Sequence, residues 1–291
     1  MASDPDLVAG ELNVGGLTRS FALRLPPGPP GGIPLVLVLH GNQSGSGLGG
    51  STMREWTTFD QQADAHGFAV AYPDGHGGCW ADGRGVTTAD EAGVDDVAFL
   101  RALIAWSAER HGTLPDRAVA AGISNGAFMA HRMGADASDQ VAVLAAVAGG
   151  LPASLLGASP ECAVSAMLIH GTADSFSPLK GGFSRHRGPS GELRGRTVSL
   201  AESADFWRTI DRCPDGPGET VTTEESTRTL AAAGVGGTQV AAWTVHGGGH
   251  TWPGSKPPGD WSEYTTLEFD AAEEIWRFAE SRLIPAAARR R

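Results

Sequence analysis

The sequence predicts an α/β chain, a mostly parallel sheet with helices on both faces, and three observations carry that prediction. Runs that are apolar at every position recur along the chain, helical patterns fall between them, and an alternating stretch with a glycine pair opens the chain.

Residues 8–25 read as an antiparallel hairpin. TRSFALRL partly alternates apolar with polar, and Gly15 with Gly16 supplies the positive φ of a two-residue turn. After the unpatterned PPGPPGG, the run PLVLVLHG is apolar on both faces, as a strand buried within a parallel sheet is. RAVAAGIS (117–124), VAVLAAVAGG (141–150), SAMLIHG (165–171) and TQVAAWTVHG (238–247) share that character. Within 94–111, Val97, Leu100, Leu103, Ile104 and Ala108 recur at three-to-four spacing, with Arg101, Glu109 and Arg110 on the wet side, which predicts a crossover helix. Near the end, Asp270 and Glu273 make a D-x-x-E capping box ahead of an apolar stripe of Ala271, Ile275, Phe278 and Ala279. That predicts a final helix closing the sheet. Residues 181–237 break the rhythm: they are rich in Gly, Thr, Arg and Glu, and only ESADFWRTI looks helical. They read as an insertion, a candidate lid or pocket rim, within a single domain spanning 1–291.

Composition narrows the class of partner. A 41% hydrophobic chain with 19% charged residues and abundant Gly and Pro is globular with many tight turns. No apolar run is long enough to cross a bilayer. The net charge of −11 repels a phosphate backbone, and the only basic run is Arg289–Arg291, so nucleic acid is not an expected partner. The opening MASDPDLVAGEL lacks a basic start, an apolar run and a small-residue cleavage pattern, which leaves a cytoplasmic chain or one whose signal has been removed. Cys79, Cys162 and Cys213 have no close spacing that would clamp a metal, and pairing among them stays open.

The chemistry concentrates in three places. Gly122-Ile-Ser124-Asn125-Gly126 follows one apolar run directly and precedes the helical-looking AFMAHRMG. A serine on a sharp strand-to-helix turn projects its hydroxyl clear of the sheet, and glycines flank it because side chains there would strike neighbouring backbone. A bland loop serine between turn glycines is the competing reading. Such a nucleophile needs a base, and the base needs an acid to hold its tautomer. Asp174, three residues past the end of SAMLIHG, lies where ligand sites of parallel sheets gather, although it could equally be a turn-forming residue. Asp95 and Asp96 compete for the role but suit a helix start better.

HGGGHTWPG (246–254) offers His246 and His250. Four-residue spacing on a helix would suit a metal, but three glycines make a helix improbable and no third ligand stands nearby. His250, on the loop, is the candidate base, with His246 in reserve; neither a metal nor another cofactor is expected. The backbone N–H groups of Asn125 and Asn42 are the candidate oxyanion donors, His40 reads as a structural strand-end residue, and Trp80 and Trp252 are candidates for contact with substrate.

Taken together, RSFALRLP (19–26), LVLVLHG (35–41), YPDG followed by CW (72–80), GVDDVAFL (93–100), GISNGAFMAHRMG (122–134), HGTADSFSP (170–178), GGGHTWPG (247–254) and AAEEIWRF (271–278) resemble the polyhydroxybutyrate depolymerase and feruloyl esterase type of α/β hydrolase. The resemblance implies the α/β-hydrolase fold and a serine ester hydrolase with Ser124 as nucleophile, Asp174 as acid and His250 as base. It implies as substrates hydroxybutyrate oligomers or polyester, or feruloyl, acetyl and other short soluble esters. Members often carry a cysteine where this chain has Asn42, and another between the position of Cys213 and the histidine motif. The second is absent here, which leaves the usual disulfide open, with Cys162 as an alternative partner. Members that attack solid polyester usually add a linker and a polymer-binding domain; none follows the last helix here, which favours soluble esters at least equally. A peptidase on the same triad and a catalytically silent binding protein on the same scaffold are the alternatives.

Overall fold

The computed structural model describes residues 6–28, 31–43, 49–187, 193–216, 218–256 and 261–283. The Arg289–Arg291 run, and positions 188–192 and 217 of the 181–237 segment, lie outside them.

The hairpin forms as β1 (Leu7–Val14) and β2 (Leu17–Arg24), with Gly15 and Gly16 at φ 60° and 82° in the turn. Six strands then run parallel: β3 (Leu35–Leu39), β4 (Ala69–Pro73), β5 (Ala118–Ile123), β6 (Val141–Val147), β7 (Ser165–Gly171) and β12 (Val240–Val245). Two further strands extend the β12 edge, β11 (Ser226–Leu230) antiparallel to β12 and β10 (Glu219–Thr222) antiparallel to β11. The order across the ten-stranded sheet is β1-β2-β4-β3-β5-β6-β7-β12-β11-β10. Strand β4 has no counterpart in the sequence reading, and β10 and β11 turn part of the 181–237 segment into an edge of the main sheet. The rest of that segment is a separate two-stranded sheet, β8 (Gly182–Arg187) with β9 (Leu193–Thr197), and helix α6 (Leu200–Ile210), capped by Ser199 with Glu202.

Alternation along the parallel strands sorts side chains between two cores. Leu35, Leu37, Leu39, Ala118 and Ala120 face one layer, with α4 (Asp96–His111), α5 (Asn125–Asp136) and α6. Val36, Val38, Val119, Ala121 and Ile123 face the other, with α1 (Gly50–Trp56), α2 (Phe59–His66) and α7 (Ala271–Leu283). A short helix, α3 (Thr88–Glu91), lies outside both layers. Both faces are therefore covered, which is why these strands are apolar throughout. Asp95 accepts from Ala98 N–H at 2.9 Å and Asp270 from Ala272 N–H at 2.8 Å, so both cap their helices, but the Asp270–Glu273 capping box is only half made: Glu273 pairs with Arg277 instead of returning to Asp270. All three cysteines are free. No described helix is long and apolar enough to cross a membrane.

Candidate active site

The site lies at the C-terminal edge of β5, β7 and β12. Ser124, one residue past β5, has φ 57° and ψ −118°, a strained backbone for a residue with a side chain. Its N–H is held by Val147 O at 3.0 Å, and α5 begins at the next residue. The turn is this sharp only because of its flanking glycines. A Cβ on Gly122 would meet the Gly126 carbonyl, and one on Gly126 would overlap the carbonyl oxygens of Leu39 and His40.

Asp174 stands in the loop after β7 and is almost fully buried, at 3% exposure. Its Oδ1 accepts the N–H groups of Phe176 (2.8 Å) and Ser177 (2.7 Å), and its Oδ2 lies 2.9 Å from His250 Nδ1. An ionised carboxylate only accepts, so Nδ1 carries the proton, which leaves the lone pair of a neutral His250 on Nε2. Only β6 separates β5 from β7, a step of roughly 10 Å across the sheet, and β12 lies next to β7. Burial alone would raise the Asp174 pKa, but hydrogen bonds from His170 and His250, with their charge, hold it well below the usual carboxylate range.

Residues 246–250 are not helical. The two histidines part company: His246 Nε2 meets Thr227 Oγ1 at 3.0 Å and its Nδ1 meets Glu224 O at 3.0 Å, while His250 alone reaches Asp174. The competing carboxylates are engaged elsewhere. Asp95 caps α4, and buried Asp96 accepts from Arg19 at 2.6 Å and from Ala81 N–H at 2.7 Å.

Of the two candidate oxyanion donors, Asn125 opens α5, so its N–H belongs to the first helical turn, where the field favours negative charge. Its side chain is engaged in another direction: Oδ1 accepts Trp80 N–H (2.7 Å), and Nδ2 donates to Trp80 O (3.1 Å) and Asp82 Oδ2 (2.6 Å). The loop bearing Asn42 packs against the serine, since a Cβ on Gly41 would lie 3.4 Å from Ser124 Cβ. His40 fastens that loop, donating from Nδ1 to Gly41 O (2.7 Å) and accepting Gly75 N–H at Nε2 (2.9 Å). Burial lowers its pKa in spite of the Gly41 carbonyl and Asp74, so it stays neutral and structural.

The two tryptophans require a correction. Trp80 and Trp252 are both at 0% exposure and present no surface to a ligand. Trp80 ties Asn125 to His40 O through its indole N–H (2.9 Å), and Trp252 packs edge-on against Phe59 in the core.

Three residues at the site escape sequence reading. His170 Nε2 lies 2.9 Å from Ser177 O and 3.2 Å from Asp174 Oδ2; both atoms accept, so that nitrogen carries the proton and shares it between them. Its i,i+4 spacing to Asp174 across a strand end was the available signal. Asp82 accepts from Asn125 and from Arg84 (2.7 Å), whose guanidinium lies 3.9 Å from the Phe128 ring centre. Glu263 accepts the backbone N–H of His250 and, at 3.3 Å, that of Ser175, joining the loop of His250 to the loop of Asp174. Nothing in sequence spacing marks either carboxylate, because their partners are distant along the chain.

An α/β sheet with a serine on its strand-to-helix elbow and a buried Asp–His pair beside it defines an α/β hydrolase. Within that class, the family model for esterase PHB depolymerase matches residues 19–179, and the chain belongs to that family. It is 33% identical over 274 residues to "Putative esterase NocK" of Nocardia uniformis subsp. tsuyamanensis, covering 88% of this chain and 77% of that protein. Acetyl xylan esterase from Aspergillus awamori superposes with a TM-score of 0.60 over 94% of this chain and 99% of its own, at 13% identity. The native structure of sOPH does so with a TM-score of 0.57 over 99% and 90%, at 15% identity. The structural likenesses carry the fold; the family makes the protein a carboxylic ester hydrolase of the serine esterase kind.

Proposed function

We propose that the protein cleaves carboxylic esters through an acyl-enzyme on Ser124. The observation that supports this most is the 2.9 Å His250–Asp174 contact on the sheet edge that also bears the strained serine turn. His250 Nε2 takes the Ser124 proton as Oγ bonds to the ester carbon, and the charge on the former carbonyl oxygen meets the N–H groups of Asn125 and Asn42. Collapse breaks the bond to the alcohol oxygen, which receives the proton from His250. Water then repeats the sequence on the acyl-enzyme, releasing the acid and restoring the serine. Asp174 holds the imidazole in the tautomer these steps require. The substrates we infer are hydroxybutyrate oligomers and acetyl, feruloyl or other short soluble esters; the acetyl xylan esterase named above favours keeping small acyl groups in that set.

The test is a panel of p-nitrophenyl esters of increasing chain length, with feruloyl and acetyl esters and hydroxybutyrate oligomers, assayed beside Ser124→Ala. Wild type turns over at least one class, the variant loses at least about 1000-fold in kcat, and a chelator leaves the wild-type rate unchanged. Equal turnover by both proteins would sink the mechanism.

A further inference from the structure

We propose that the Phe176–Trp261 ring stack beside His250 binds the alcohol part of the ester and favours flat, apolar alcohols over small aliphatic ones. This rests on the reading of His250 as the base.

The Phe176 ring centre lies 5.0 Å from that of His250 at an interplanar angle of 32°, and Trp261 stacks on Phe176 at 5.2 Å and 20°. Three rings therefore step outward from the base. Trp261 keeps 42% of its surface exposed with Phe176 against it, whereas the other seven tryptophans are buried or partly buried. The Phe176–Trp261 stack beside His250 offers a flat apolar face on which an aromatic group can lie.

Phe176 is also fixed in place. Its N–H is held by Asp174, and its carbonyl accepts from Arg185 N–H at 2.9 Å and Ser184 Oγ at 3.3 Å. The main chain that carries the Phe176 ring is thereby tied to Asp174.

Chemistry decides which part of the substrate meets it. The alcohol oxygen is protonated by His250, so at that step it lies within hydrogen-bond reach of Nε2. The oxyanion donors, on the loop after β3 and the start of α5, draw the carbonyl oxygen to the serine side. The first carbons of the alcohol thus leave the reaction centre on the histidine side, where the rings stand. An aryl group on that alcohol can lie against Phe176 and Trp261, while a methyl group reaches neither.

The test measures kcat/KM by pH-stat titration for methyl, benzyl and 2-naphthylmethyl acetate with wild type, Trp261→Ala and Trp261→Phe. This constant reports the steps up to release of the alcohol, and variant-to-wild-type ratios cancel intrinsic reactivity. Trp261→Ala lowers the value for both arylmethyl esters roughly 3- to 10-fold and for methyl acetate less than about 2-fold, the size of one aromatic contact. Trp261→Phe recovers most of the loss. Across methyl esters of acetic, hexanoic and octanoic acid the ratio stays constant. A uniform loss over all alcohols would make Trp261 a cover for the Asp–His pair, and a loss growing with acyl length would put the acyl group there; either outcome, or no loss, overturns the proposal. Failure of the esterase reading would be told apart by Ser124→Ala retaining wild-type turnover.

Discussion

Asp174 and Asp211 are both buried carboxyls, and their surroundings drive them in opposite directions. Asp174 has two histidines and two backbone N–H groups, so it stays ionised well into acid. Asp211, at the end of α6, has the N–H of Val164 at 3.0 Å on Oδ1 and no partner for Oδ2 among the described residues. Burial pushes its pKa up to about 7, offset only in part by Val164 and the Thr238 hydroxyl. The folded value lies above the unfolded one near 3.8, so between about pH 4 and 7 the folded chain holds a proton that the unfolded chain has released. Stability falls as pH rises through that window. Asp211→Asn removes the titration, and its melting temperature relative to wild type rises by roughly 5 °C between pH 4.5 and pH 8. Thermal scans in the two buffers measure this; an unchanged gap would mean that Asp211 does not titrate there.

The loop after β12 carries His250, the proposed base, and its position is set by a segment further along the chain. Gly249 N–H donates to Tyr264 O at 2.9 Å and Gly254 N–H to Thr266 O at 2.9 Å, while Glu263 takes the N–H of His250. Gly249 is a glycine for this reason, since a Cβ there would strike Glu263. Because Glu263 also holds Ser175, next to Asp174, it ties the two loops together, and the expectation is a positioning role. Glu263→Ala lowers kcat roughly 10- to 100-fold with KM nearly unchanged, and Glu263→Gln recovers part of the loss because an amide oxygen still accepts. Steady-state kinetics with a p-nitrophenyl ester reads the split; a rise in KM alone would assign Glu263 to substrate binding.

Across the whole molecule, legibility follows the range of the interactions. Strands such as β3 and β6 are legible because burial on both faces leaves no polar position, and the serine elbow because its cause, glycine beside backbone, is local. Strand β4 is short, alanine-rich and closed by Pro73; helix α2 shows only Phe59 and Ala63 to the core; β10 is exposed and threonine-rich. None of these gives a clear period. Asp82 and Glu263 are invisible for a different reason, since they act on residues 43 and 13 positions away and only folding brings the pairs together. The oxyanion-side network also bears on how the molecule ages. Asn125 and Gly126 are the chain's one Asn-Gly pair, the dipeptide in which a glycine nitrogen most readily attacks the asparagine amide carbon and expels ammonia. In the folded chain the helical backbone and three hydrogen bonds on that amide keep the carbon from the nitrogen. Each unfolding excursion releases it, and ring opening then leaves aspartate, or isoaspartate with an extra carbon in the main chain, at the residue that follows Ser124. Peptide mapping of heated samples should find these products accumulating as recoverable activity declines. The shelf life of the catalyst is then governed by how often its fold opens, not by how often it turns over.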